Sequence, residues 1–305
     1  MKIIGNMDFV LKNTAVCIGK FDGIHKGHRL LLEEAGKAGL TTVMFTFLMD
    51  RTNVIYAEME KIQLAERLGV DVFVEIPFDD HFMRQSAEEF VTEVLVERCG
   101  ARKVIVGEDF CFGYKRSGTV PLLTRMGEKY GFETIVKEKM IAHGDVISST
   151  RIRSLLRSGM IEEADNLLQT PYFIAGTVEK GNQLGRTINT PTANLYPDKV
   201  KELPPFGVYA VLVEAEGKQY RGVANLGRKP TIAGDNPVGL EVWLFDFDGY
   251  LYGKEITVYF IRFQRREQKF PSLDELKHQI ANDAEAARQT LAELEDGYLR
   301  QSFYC

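Results

Sequence analysis

His25 and His28 stand three residues apart, directly after a turn that holds Gly19 and Gly23, with Gly27 between them. Residues three apart on a helix share a side, so a first helical turn here would present both imidazoles together. Glycine lets backbone approach a ligand closely, and the unpaired amides of a helix start favour phosphate. Imidazole N–H groups can donate to phosphate oxygens where charge builds up. The run Gly19-Lys-Phe-Asp-Gly-Ile-His-Lys-Gly-His28 therefore reads as a phosphate turn for ATP, with Gly19, Phe21 and Gly27 lining it. It has neither the G-K-[ST] of a Walker loop nor the G-x-G-x-x-G of a dinucleotide fold.

Three other segments carry candidate chemistry. In Ile147-Ser-Ser-Thr-Arg-Ile-Arg153, Ser148, Ser149 and Thr150 offer hydroxyls at a helix start. Arg151 and Arg153, read as lying on one helical side, would complete a phosphate clamp. Alone, this segment is equally well an ordinary helix cap followed by solvated arginines. In Val106-Gly-Glu-Asp-Phe-Cys-Phe-Gly113, Asp109, Phe110 and Phe112 at a strand end would line a pocket for a flat ring; the structural alternative is a turn with two core phenylalanines. In the second half, Gly176, Gly181 and Gly185 suit close approach to phosphates, and Thr192 and Asn194 of Thr190-Pro-Thr-Ala-Asn-Leu195 offer oxygen ligands for Mg²⁺. Glu241 sits in the otherwise apolar run Gly-Leu-Glu-Val-Trp-Leu-Phe, where a carboxylate needs a partner or a task. Arg221 and Arg265 are the candidate partners.

The elements that must position these residues fall into two halves. In the first, short apolar runs alternate with helical patterns: strands at 14–18, 41–47, 70–76, 103–106 and 132–137, and helices marked by Leu31, Ala35 and Ala38, by Met59, Ile62, Ala65 and Leu68, by the capping box Ser86/Glu89, and at 121–129. This alternation predicts a Rossmann-like α/β domain, a parallel sheet with helices on both faces. A helix at 148–158 and another at 161–168, separated by Gly159, lead to a boundary near 170. Beyond Pro171, strands follow one another: 207–214 and 219–225 flank a hairpin loop, and 240–247 and 254–263 flank a second turn containing Asp248-Gly249. Apolar residues on both faces predict a small antiparallel β-barrel. Ser272 and Glu275 make a capping box that starts a closing helix striped by Leu276, Ile280, Ala284, Ala287 and Leu291. The domains are thus expected at 1–170 and 171–305.

Bulk properties narrow the class. A chain of 305 residues with 45% apolar and 27% charged residues is an ordinary globular protein. A net charge of −5 speaks against a nucleic-acid partner. Four scattered cysteines form no metal or disulfide framework. The N-terminus lacks a signal-peptide pattern, and no run approaches a membrane span. A cytoplasmic protein with small-molecule substrates is expected; no motif specifies an oligomeric state.

H-x-G-H after a strand resembles the nucleotidyltransferase superfamily, and I-S-S-T-R-I-R is similar to its triphosphate-holding element. Taken with G-E-D-F-x-F-G, P-T-A-N-L, G-V-Y-A, N-x-G-x-x-P-T and the tail Arg265-Arg-Glu-Gln-Lys-Phe270, the whole chain resembles the bifunctional bacterial riboflavin kinase/FAD synthetases, from about residue 14 to about residue 290. The resemblance implies two reactions: phosphorylation of riboflavin to FMN in the barrel, and adenylylation of FMN to FAD in the first domain, both from ATP. It implies that Glu241 is the base for the ribityl hydroxyl. It further implies that Thr192 and Asn194 hold the Mg²⁺-nucleotide, that His25 and His28 steady the transferring phosphoryl group, and that Arg265 and Phe270 join the flavin-binding residues. Departures are confined to a few positions. Phe45-Thr-Phe-Leu-Met-Asp50 replaces an F-x-P-H-P segment, Cys111 stands where arginine is frequent, and Lys229 replaces the usual arginine. They make a kinase-only chain the second reading. An adenylyltransferase fused to a non-catalytic binding barrel is the third; P-T-A-N and an embedded glutamate argue against it.

Overall fold

The computed structural model describes residues 1–48, 52–179, 192–228 and 237–294. Contacts divide the chain into two units: Met1–Arg51 with Lys61–Ser149, and Thr52–Glu60 with Thr150–Cys305.

In chain order the first half runs β1 (Lys2–Ile4), β2 (Thr14–Ile18), α1 (Lys26–Gly36), β3 (Thr41–Leu48), α2 (Glu58–Arg67), β4 (Val72–Pro77) and α3 (Asp80–Arg84). It continues with α4 (Ala87–Glu89), β5 (Ala101–Gly107), β6 (Cys111–Phe112), β7 (Gly118–Thr119), α5 (Val120–Tyr130), β8 (Glu133–Lys137), β9 (Ile141–Ala142) and β10 (Asp145–Val146). Six strands make one sheet in the order β1-β4-β3-β2-β5-β8, and every neighbouring pair is parallel. Its central strands are buried on both faces, β2 along its whole length, as a parallel sheet covered by helices requires. The α/β architecture expected from the sequence is present.

Three details differ from expectation. Strand β1 was not foreseen: three residues are too few to show a period, and pairing with β4 (Lys2↔Val72) creates the strand. Helix α2 buries Glu60, Leu64 and Ala65, whereas Met59, read as part of its apolar stripe, is 66% exposed. The true inward residue is a glutamate, which hydropathy alone assigns to solvent. The Ser86/Glu89 capping box forms as read, but the helix then continues as π-helix over Phe90–Arg98.

The chain fills the sheet on one side of β2 through β3 and β4, then crosses to the other through β5 and β8. This reversal is a topological switch point, the place where open α/β sheets bind ligands at the carboxyl ends of their strands. The Gly19–His25 turn leaves β2 there.

The second unit holds α6 (from Ser149, in the first unit, to Arg157), α7 (Ile161–Leu168) and six antiparallel strands. These are β11 (Phe173–Thr177), β12 (Ala193–Leu195), β13 (Gly207–Ala215), β14 (Lys218–Arg228), β15 (Val238–Leu244) and β16 (Glu255–Arg266), ordered β11-β16-β13-β14-β15-β12. A bridge between Glu179 and Asn194, with Glu179 N–H donating to Asn194 O at 2.8 Å, links the two ends of this sheet into a barrel. Alternate residues point inward: Leu195, Leu226 and Leu240 share one row, and Ala193, Ala224 and Val242 the next. Helix α8 (Leu273–Ala292) starts at Ser272, whose hydroxyl accepts from Glu275 N–H. It buries Ala284, Ala287 and Leu291 as predicted, and Asp283 with them. Among the described residues no helix is long and apolar enough to cross a membrane.

Candidate functional site

The turn after β2 is held in an uncommon conformation. Phe21 and Ile24 both have positive φ, 42° and 41°, and both are buried. For bulky residues this is strain, of about 1–3 kcal/mol each, that surrounding structure must hold in place. Gly23, at φ 96°, takes the position between them that most needs glycine. His25 caps α1, and its ring stacks on His28 with centroids 3.8 Å apart and planes 17° from parallel. The shared helical side expected from their spacing is thus realised as a ring stack. A Cβ at Gly27 would meet the His25 ring at 3.3 Å, a tight contact that would press on the stack.

Burial sets the charge of this pair. His25 is pushed down to about 4 by loss of solvent. His28 is driven well below its ordinary value, first by burial and then by His25. Both imidazoles are therefore neutral near pH 7. Their Nδ1 atoms are buried without a hydrogen-bond partner among the described residues. Asp22 and Arg29, buried at 4% and 3% exposure, complete the turn's polar lining. Their burial could not be read from the sequence, where each looks like a surface charge.

Ser149 opens α6 and donates its hydroxyl to Asp22 O at 2.5 Å, so this end of the Ser-Ser-Thr segment touches the turn after β2. Ser148 precedes the helix, and Thr150 accepts from Arg153 Nη2 at 3.3 Å. Arg151 and Arg153 do not share a side. Two residues apart on an α-helix is about 200° of rotation, and they flank the buried Ile152.

At the end of β5, Asp109 is exposed and pairs with Lys139 at 3.1 Å. Phe112 is buried against Phe90 at 5.5 Å, and Phe110 stacks on it at 5.4 Å. Phe112 is thus a core residue as well as a candidate wall. The ring series continues from Phe90 through Phe82 to Phe47 and Phe45. Phe45 is fully buried and Leu48 is exposed; Met49 and Asp50, the rest of the altered wall, lie outside the described residues.

In the barrel, register does what spacing alone could not show. Glu241 on β15 is the direct partner of Asn194 on β12 and of Asn225 on β14. The three polar residues form one row on the face opposite Leu240 and Val242. Asn225 was not among the expected site residues; only the β14–β15 register brings it in. Asn194 is 4% exposed, and its Nδ2 donates to Thr192 O at 3.3 Å. Of the two amide atoms, the oxygen is the one whose chemistry suits a hard cation. Burial, with Glu179 and Glu241 adding negative potential, raises the Tyr196 hydroxyl. Gly176 lies in β11 opposite Ile256. Gly181 and Gly185 lie outside the described residues, as does Lys229.

Two of the tail residues, Arg265 and Phe270, lie near one another. The Arg265 guanidinium lies 5.8 Å from the Phe270 ring. It also makes a two-pronged pair with Asp283 of α8, at 2.8 and 2.6 Å. Arg265 is therefore Asp283's partner, not the one considered for Glu241.

Two family models match in tandem. That for FAD synthetase covers residues 9–151 and that for riboflavin kinase residues 168–291. The chain belongs to the bifunctional riboflavin kinase/FMN adenylyltransferase family. A member from Haemophilus influenzae is 37% identical, over 93% of this chain and 96% of its own. One from Escherichia coli K12 is 39% identical, over 91% and 93%. A crystal structure described as a macrolide-efflux protein from Streptococcus pneumoniae is 32% identical and superposes with a TM-score of 0.80, covering 94% of this chain and 98% of that one. The two matched regions correspond to the α/β unit and the barrel, which is the tandem arrangement this family's name describes.

Proposed function

We propose that the chain makes FMN from riboflavin and ATP in the barrel, and FAD from FMN and ATP at the histidine turn, with release of pyrophosphate. The first activity is assigned to residues 171–305 and the second to 1–170. The observation that carries this reading is the row Asn194–Glu241–Asn225. It puts a carboxylate between two amides on one face of the barrel wall.

In the kinase step, Glu241 receives the proton of the neutral ribityl hydroxyl, which makes that oxygen a nucleophile. Thr192 and Asn194 would hold Mg²⁺; when bound, the ion neutralises charge on the transferring phosphate. These neutral oxygen donors suit a magnesium ion whose remaining ligands are nucleotide phosphates and water. Gly176, Gly181 and Gly185 bring backbone to the nucleotide, and Arg265 and Phe270 hold the flavin. In the adenylyl step the FMN phosphate is already anionic and needs no base. His25 and His28 donate N–H groups to the α-phosphoryl oxygens, with Gly19, Phe21, Gly27, Ser148, Ser149, Thr150, Arg151 and Arg153 around the nucleotide. Asp109, Phe110 and Phe112 face the flavin ring. We place both activities in the cytoplasm.

The test is incubation with riboflavin and Mg²⁺-ATP, with products resolved over time. FMN followed by FAD is the expected result. FMN alone would leave the kinase-only reading standing, and neither product would overturn both assignments.

A further inference from the structure

The phosphate turn is held from behind by two hydroxyls. Thr46 lies near the carboxyl end of β3, fully buried, among the apolar residues of the sheet. Its Oγ1 donates to Lys20 O at 3.2 Å. Ser149 donates to Asp22 O at 2.5 Å. Two carbonyls, two residues apart in a strained turn, are thereby fixed by side chains that come from different elements.

The consequence follows from peptide geometry. In a trans peptide the C=O and the next N–H point in opposite directions. Holding Lys20 O fixes the direction of Phe21 N–H, and holding Asp22 O fixes that of Gly23 N–H. Neither amide donates to any acceptor among the described residues, and both residues are buried. Buried N–H groups are nearly always paired. Two unpaired donors in one turn are groups that a bound anion would satisfy. Phe21 between the two held carbonyls keeps a positive φ of 42°.

We infer that Thr46 is a positioning residue for adenylyl transfer. Its hydroxyl, with that of Ser149, aims the Phe21 and Gly23 amides at a phosphate oxygen of the bound nucleotide. The inference rests on the histidine turn being the adenylyl-transfer site. Thr46 belongs to the segment Phe45–Asp50, where the sequence departs from the F-x-P-H-P pattern.

Thr46→Val removes the hydroxyl and keeps the shape; Thr46→Ser keeps the hydroxyl. Both would be made in the full chain, and riboflavin phosphorylation and FMN adenylylation measured separately with Mg²⁺-ATP. Misplacing donors by an ångström or less lowers rate by up to about a hundredfold. Thr46→Val is expected to lower kcat for FAD formation about tenfold to a hundredfold, with a smaller change in KM for ATP. Thr46→Ser should restore most of the rate, and FMN formation should be unchanged in both. Equal kcat for Thr46→Val and the parent would overturn the inference. So would a loss shared equally by both activities, or one that serine does not rescue, since either indicates general damage to folding. If the parent protein makes no FAD at all, it is the adenylyltransferase assignment that fails.

Discussion

Lys201 is the residue whose replacement should most clearly expose how the second unit is built. Its ammonium is almost wholly buried and lies 2.5 Å from Glu60 Oε2. It also donates to Ile55 O at 2.9 Å, and sits 4.7 and 4.6 Å from the centres of the Tyr56 and Tyr172 rings. Glu60 in turn accepts from Ala57 N–H at 2.9 Å and Ala175 N–H at 3.0 Å. The segment Thr52–Glu60 is thus tied to the barrel strand β11 and to the loop after β12. A parallel bridge between Val54 and Lys201 adds backbone pairing.

Removing one partner of a buried ion pair costs about 3–5 kcal/mol, because the other charge stays buried. Lys201→Met keeps the length of the side chain and lets sulfur pack against the rings. Glu60 retains two backbone donors, which places the loss near the lower bound, about 3 kcal/mol. For a unit of roughly 150–250 residues each kcal/mol moves the midpoint by about 2–4 °C, so a drop of about 6–12 °C is expected. Calorimetry of the full chain measures it. The double variant Glu60→Gln with Lys201→Met removes the stranded charge and should recover at least about 1 kcal/mol, a coupling that independent sites do not show. A midpoint lowered by less than about 2 °C, or a double variant equal to the sum of the single ones, would refute the reasoning.

Three further outcomes are expected. Because burial holds His25 near 4 in the fold, against about 6.5 unfolded, only the unfolded chain takes up its proton between these values. Stability is then complete above about pH 6.5 and declines towards pH 4, by about 3 kcal/mol from this residue; His25→Gln should flatten that slope in nucleotide-free protein, and an unchanged slope would contradict a buried neutral imidazole. Glu241→Gln should lower FMN formation by about 10²–10⁴-fold, the usual worth of a general base, while FMN-to-FAD conversion persists; equal loss of both would count against the division of labour. Asp283→Asn weakens the two-pronged hold on Arg265, so KM for riboflavin should rise about tenfold, the equivalent of about 1.4 kcal/mol, without effect on FAD formation from FMN; an unchanged KM would remove Arg265 from the flavin site.

What was legible in the sequence is local. The strand, glycine turn and helix around His25, the Ser86/Glu89 box and the Ser272 cap all depend on residues within a few positions of one another. Their spacing states their structure. The alternation of period also separates the parallel sheet from the barrel correctly. What was not legible depends on distant pairing. Glu60 looks like a surface residue until Lys201, 141 positions away, is placed against it. Asn225 joins Glu241 only through the register of β14 with β15, and β1 exists only because β4 offers it a partner. Arg151 and Arg153 were misread for a geometric reason: two positions apart is nearly opposite on a helix.

The two sites differ in a way that matches the two acceptors. Riboflavin presents a neutral hydroxyl, and on the proposed assignment the barrel site supplies a carboxylate, the half-buried Glu241. FMN presents a phosphate dianion, which needs no base but would be repelled by another anion. On the proposed assignment the histidine turn supplies uncharged donors instead: imidazoles kept neutral by burial, and backbone amides aimed by the hydroxyls of Thr46 and Ser149. Neutral donors can stabilise a pentacoordinate phosphoryl group without trapping the anionic substrate in a deep ground-state well, which is the differential binding that catalysis requires. A permanently charged cation in place of His28 would bind both states tightly. On this argument His28→Arg, which cannot lose its charge, should lower KM for ATP in FAD formation while lowering kcat as well. A variant with higher kcat would show that charge, and not the placement of neutral donors, limits this step.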